Sequence, residues 1–209
     1  MYTPRAFIDD DLPRLQLHME QTRLAILVTH GADGLQATHL PVLLQRQAGQ
    51  HGTLLGHLAR ANPQCQVLAS GAPALVIFPG ADAYVSPNFY PAKAQHHKVV
   101  PTWNYTAVHA TGVAQVFNDG PRLLALVTEL TQRHEASQPQ PWAVSDAPAD
   151  YIEGMLRVIV GFELPISHLE GKRKLSQNRS AEDIRGVQAG LAASSDMQDQ
   201  QLAELMTQP

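Results

Sequence analysis

The sequence predicts a mainly β, α+β chain: an antiparallel barrel carrying flanking helices. Two observations predict it. Short apolar runs follow one another at hairpin spacing, which favours antiparallel pairing of neighbours. Strands and helices do not alternate regularly, which argues against a doubly wound parallel sheet. Of the 209 residues, 44% are hydrophobic, enough to fill such a core.

Residues 9–22 read as a first helix, with Asp10 or Asp11 as cap, Pro13 early, and Leu12, Leu15 and Met19 on one face. The run Leu24–His30 is a buried strand, and Gly31-Ala-Asp-Gly34 a turn into a partner strand from Leu35 to about Gln45. After a polar loop a strand resumes at Thr53–Gly56, and Asn62-Pro63 signals a short helix ending near Gly71. Ala74–Phe78 is a strand that Pro79-Gly80 ends, followed by a proline-rich loop over 79–101. Val99–Phe117 holds one long strand or two. Helices follow from Gly120-Pro121 to about Ala136 and over 148–157, then a buried strand at Val158–Leu164. After a basic loop at 170–179, Ser180 and Asp183 suggest the cap of a last helix. One domain is expected over 1–192, and a polar, mobile tail over 193–209.

Charged residues are only 16% and the net charge is −4, which excludes a wholly basic nucleic-acid binder. A single cysteine, Cys65, forbids an intramolecular disulfide. No apolar run reaches the roughly 20 residues that span a bilayer, and the start lacks a signal-peptide layout. A soluble, cytoplasmic protein is expected.

Three segments carry chemistry. Residues 84–105 pack Tyr84, Phe89, Tyr90, Trp103 and Tyr105 around Lys93, His96, His97 and Lys98. Long loops of this mixture are often binding sites, the plain alternative being a rigid plug of the barrel. Residues 170–179 gather Lys172, Arg173, Lys174 and Arg179 with Ser176, Gln177 and Asn178. Cations and short donors together suit a phosphate, although a solvated loop paired to nearby glutamates is an equal reading. Residues 56–62 place His57 and Arg60 before the Asn62-Pro63 helix start, a plausible anion cradle without any glycine-rich fingerprint. Adjacent His96 and His97 diverge on a strand, and no local metal-ligand spacing occurs. Only a site from distant His39, His57 and His109 would hold zinc or iron. No metal site is expected. Ser86, Ser176 and Cys65 lack a nucleophile's context.

The stretches THGADGLQATHLP (29–41), GHLARANPQ (56–64), YVSPNFYP…KVVPTWNYTAVHATG (84–112), PWAVSDAPADYIEGMLRVIVGFEL (141–164) and LEGKRKLSQNRS (169–180) resemble the PaiB family of FMN-binding negative transcriptional regulators. VPTWNY and KLSQNR are the most specific pieces, and the likeness runs from about residue 1 to 192. The resemblance implies a split β-barrel of the flavin-reductase and pyridoxamine-phosphate-oxidase type. It also implies a homodimer with FMN in clefts between subunits and a role in repression, in some bacteria of protease synthesis and sporulation.

Under that resemblance, His57, Arg60 and Asn62 would hold the FMN phosphate, with a second grip from Lys174, Ser176 and Gln177. Thr38, His39 and Leu40 would offer main-chain groups to the pyrimidine edge of the ring. Trp103, Asn104 and Tyr105 would supply ring contact and polar fixation. DNA contact is possible through the 172–179 cluster doubled across a dimer. A flavin-dependent oxidoreductase acting on a small molecule is the alternative, and a split barrel without cofactor a third reading. His39, His109 and Tyr105 are the candidate acid or base groups.

Overall fold

The computed structural model describes residues 1–207; the last two residues of the expected tail lie outside them. The elements in chain order are β1 (Ile8–Asp9), α1 (Leu12–Gln21), β2 (Ala25–Gly31), β3 (Gly34–Leu40), β4 (Leu43–Gln45), β5 (Thr53–Ala59), α2 (Gln64–Ala69), β6 (Pro73–Val85) and α3 (Ala92–His96). There follow β7 (Thr102–Val113), β8 (Gln115–Phe117), α4 (Gly120–Glu135), α5 (Ala149–Arg157), β9 (Ile159–Lys174), α6 (Ala181–Ala192) and α7 (Met197–Leu205). The strands form a sheet of order β3-β2-β6-β7-β9-β5-β4, with β1 and β8 also paired to β9. The pairings resolved residue by residue, β1–β9, β2–β3, β2–β6, β4–β5, β5–β9 and β8–β9, are antiparallel. This is the expected antiparallel, helix-decorated architecture.

Two compact units divide the chain, Met1–Asp11, Pro79–Val108 and 170–209 in one, Leu12–Phe78 and His109–Leu169 in the other. The larger unit holds the β2–β3 hairpin, closed by Gly34 at φ +93°, where only glycine is unstrained. Phe117, Leu123, Leu126 and Leu130 bury the inner side of α4 against Leu43. That helix starts on Asp119, whose carboxylate accepts from the Arg122 N–H, with Pro121 in its first turn.

The smaller unit has its own core of Ala83, Val85, Tyr90, Leu175, Val187, Leu191, Leu202 and Ala203. Ser180 caps α6 through the Asp183 N–H, as its spacing predicts. Gly186 and Gly190 on α6 make room for Phe89: a Cβ on Gly186 would lie 2.2 Å from the Phe89 carbonyl.

Four sequence expectations change. The partner strand expected from Leu35 to about Gln45 is two strands divided after Leu40, β3 pairing with β2 and β4 with β5. The strand expected to stop at Phe78 continues to Val85 through Pro79-Gly80. Its ladder to β2 covers only Leu75–Ile77, so the missing Pro79 donor lies beyond it. The basic segment expected as a loop is strand as far as Lys174. The polar tail contains α7, capped by Asp196 and seated by buried Leu202 and Ala203. Sparse apolar residues hid it, since two well-placed ones suffice beside α6. No helix among the described residues is long and apolar enough to cross a membrane.

Candidate functional site

The expected site residues fall in both units, and each group has its own geometry. In the larger unit Thr38, His39 and Leu40 lie on β3, the terminal strand of the sheet order, opposite Leu27, Ile26 and Ala25. The Thr38 side chain accepts from Asn62 Nδ2 at 3.0 Å and donates to Gln64 Oε1. Gln64 is almost fully buried, and its Nε2 donates to Leu27 O, Thr29 Oγ1 and Gln36 O. A buried amide stays only where its polar atoms are satisfied, so Gln64 fastens α2 to the β2–β3 hairpin. Sequence reasoning missed it, because one glutamine on a short helix carries no pattern.

Asn62 Oδ1 accepts from the Gln64 N–H at 2.9 Å, so the asparagine itself caps the short α2. Arg60 donates from Nε to Arg157 O, from Nη1 to Asn118 Oδ1 and from Nη2 to Ile159 O, each at 2.8 Å. Three of its five N–H groups thus clamp neighbouring chain, and two remain. His57 on β5 has a buried Nδ1 without a hydrogen-bond partner among the described residues. Burial pushes its pKa below the ordinary 6.5, so the ring is held neutral, which suits a hydrogen bond better than an anion. Burial likewise pushes the Cys65 thiol up, so it is held as the unreactive thiol.

In the smaller unit, alternation along β7 sorts the VPTWNY motif by face. Asn104 is fully buried, and its Nδ2 donates to Ser176 Oγ at 2.9 Å. Ser176 is buried with φ +66°, a strained position for a serine, fixed by the turn it opens. Gln177 closes the same turn: Oε1 accepts from the Leu175 N–H at 2.7 Å and Nε2 donates to Arg173 O at 2.6 Å. Asn104 and Ser176 thus hold each other, and Gln177 pins the main chain on either side of Lys174.

Trp103 stands on the open side, 53% exposed, edge-to-face with Tyr84 at 6.0 Å between ring centroids. Lys172 Nζ lies 4.9 Å from the Tyr105 ring centroid and donates to Tyr2 O. Lys174 Nζ donates to Thr102 Oγ1 and to Trp103 O, both at 2.5 Å. Its ammonium has three donors, so one is left for a ligand. Burial lowers the Lys174 pKa from 10.5, with Lys172 and Arg179 adding to the shift and Tyr105 opposing it. Arg173 points away from this group and donates to Leu205 O at the end of α7. Among the described residues no group of three or more His, Cys, Asp or Glu side chains could hold a metal ion.

An exposed indole, a second aromatic edge and a lysine with a spare donor suit a flat, phosphate-bearing ring. The nine-stranded antiparallel sheet with its flanking helices gives the chain a split-barrel fold. Its structural likeness extends to the flavocytochrome Anf3 of Azotobacter vinelandii (TM-score 0.62, 13% identity, 88% of this chain and 78% of that one). It extends also to an FAD and heme binding protein of Mycobacterium smegmatis (TM-score 0.57, 17% identity, 85% and 78%). Residues 1–168 match the family described as "Putative FMN-binding domain". The chain is 30% identical over 206 residues to the Bacillus subtilis protease synthase and sporulation protein PAI 2, covering 99% of this chain and 96% of the relative. It therefore belongs to the PaiB family of FMN-binding-domain proteins. An uncharacterized Aspergillus fumigatus protein is 33% identical over 235 residues, covering 91% of this chain and 90% of the relative.

Proposed function

We propose that this chain binds FMN as a homodimer and acts as a regulator of the PaiB kind. The observation that carries the flavin reading is the Trp103–Tyr84 pair beside the spare Lys174 donor. Trp103 and Tyr105 contact the flat ring, and Lys174 meets the phosphate. In the larger unit, taken by itself, the main chain of Thr38, His39 and Leu40 on the terminal strand β3 is a candidate for meeting a polar ring edge. Asn62, Asn104, Ser176 and Gln177 support the reading indirectly, since their side chains are engaged in fixing the turns that carry the contacts. A bound flavin supplies reversible two-electron chemistry, which a regulator can use as a redox signal.

The regulatory part rests on family membership and on the name of the Bacillus subtilis relative. Arg173 donates to Leu205 O, so a DNA backbone meeting this segment would compete with that bond.

The test is the absorption spectrum of freshly purified protein, followed by titration of the stripped protein with FMN. Yellow protein releasing FMN on denaturation, or saturable binding on titration, is the expected result. Colourless protein that takes up neither FMN nor FAD would overturn it. Titration with duplex DNA at two salt concentrations tests the second half, and no binding at low salt removes direct repression.

A further inference from the structure

In the smaller unit a buried hydroxyl without a partner stands beside two cations that no carboxylate neutralises. Tyr90 is 2% exposed, and its hydroxyl is buried with no hydrogen bond among the described residues. Such a group costs stability unless a partner meets it. The Arg179 guanidinium carbon lies 5.0 Å from the centroid of the Tyr90 ring. Arg179 and Ser176 stand near the hydroxyl, yet neither bonds it. Burial pushes the Tyr90 phenol up from its ordinary 10, so it keeps its proton and can donate. Arg179 is half-buried and, like Lys174, forms no ion pair among the described residues. Arg179 adds to the lowering of the Lys174 pKa, so the two cations are close enough to repel. The acid on this side is Asp183, also buried, which pushes the phenol further up and whose Oδ1 accepts from the Ala92 N–H at 3.1 Å.

We propose that Lys174, Arg179 and the Tyr90 hydroxyl form two adjoining phosphate positions, so that this unit accepts a diphosphate or two phosphates side by side. Lys174 holds the first phosphate, which is the FMN phosphate of the function proposed above; only that assignment rests on the flavin reading. Arg179 and Tyr90 hold the second. The guanidinium and the hydroxyl both donate, and ionised phosphate oxygens accept. A phosphate set between the cations replaces their mutual repulsion by attraction. It also supplies the acceptor that the Tyr90 hydroxyl lacks. A monophosphate such as FMN fills the first position alone. The second phosphate arrives in the same molecule, as in a flavin dinucleotide, or on a separate one.

The test is calorimetric titration of flavin-free protein with inorganic pyrophosphate and with orthophosphate, circular dichroism confirming the fold of each variant. Pyrophosphate should bind about tenfold tighter or more, and Arg179→Met should abolish that preference. Tyr90→Phe should weaken pyrophosphate binding severalfold without lowering Tm, because it removes an unpartnered polar atom. Equal affinities for the two anions, a preference that survives Arg179→Met, or a Tyr90→Phe variant that loses Tm and no affinity would each overturn the proposal. Flavin titrations then separate the sources. FAD binding about tenfold tighter than FMN, through Arg179, assigns the second phosphate to a dinucleotide. Orthophosphate binding to FMN-saturated protein, again through Arg179, assigns it to a separate molecule. Neither effect, in protein that binds FMN, overturns the adjoining positions. A pyrophosphate preference in protein that takes up no flavin supports them and overturns the flavin reading alone.

Discussion

Replacing Lys174 by alanine separates phosphate recognition from every other way of weakening a flavin site. Its ammonium spends two donors on Thr102 Oγ1 and Trp103 O and keeps the third. One charge-assisted hydrogen bond to a phosphate contributes roughly 1.5–3 kcal/mol, about 10- to 150-fold in affinity. The substitution also strips donors from Thr102 and Trp103 and loosens the ring contact. That second effect acts on FMN and riboflavin alike, since both carry the ring. The measured quantity is therefore the ratio of the two Kd values, by fluorescence titration of wild type and Lys174→Ala. The ratio should fall by 10-fold or more, almost wholly through FMN. Arg60→Ala is the companion. With three bonds holding Arg157, Asn118 and Ile159, it should lower stability and leave the ratio nearly unchanged. Equal losses of FMN and riboflavin in Lys174→Ala, or a collapse of the ratio in Arg60→Ala, would move the phosphate to the other unit and refute the assignment.

Three further outcomes are expected. His57 is neutral in the fold and its pKa is depressed by burial, so its contribution to stability is full above the unfolded value near 6.5 and is lost as pH falls through it. Urea unfolding at several pH values should give wild type a steeper acid decline than His57→Leu, by up to about 1.4 kcal/mol per pH unit; parallel declines would contradict it. Gly186→Ala should destabilise by about 1–3 kcal/mol in thermal unfolding despite better helix propensity, because its Cβ meets the Phe89 carbonyl at 2.2 Å; a raised Tm would show that the segment yields. Leu202→Ala should cost about 2–5 kcal/mol, and no measurable loss would mean that α7 is dispensable to its unit.

What the sequence made legible follows from how each signal is encoded. The β2–β3 hairpin was readable because an apolar run meets a glycine turn, and the start of α4 because Gly120-Pro121 marks it; its inner face was only half legible, since the structure buries Leu123 and Leu130 as read but Leu126 in place of Leu124. The continuation of β6 past Pro79 was not, since whether a proline breaks a strand depends on which neighbour needs its donor. The aromatic and basic residues of the candidate site were visible as a composition. Their division was not: alternation turned Trp103 outward and Asn104 inward, and three-dimensional neighbours committed Arg60, Ser176 and Gln177 to the chain itself. Gln64 left no trace in the sequence, because a buried polar hub is defined by its partners.

The pairing of β1 with β9 sets a timetable. Ile8 lies opposite Lys172 and Asp9 opposite Gly171, while β5 pairs with β9 from Thr53↔Pro165 to Ala59↔Ile159. On the ribosome β1 emerges long before its partner β9 has been made. It must wait, unpaired, through the synthesis of nearly everything else. The β2–β3 hairpin can close early, but the sheet cannot be completed until β9 is free of the exit tunnel. Such distant pairings slow two-state folding toward the millisecond-to-second range. The yield of this protein should therefore respond to translation speed and chaperone supply.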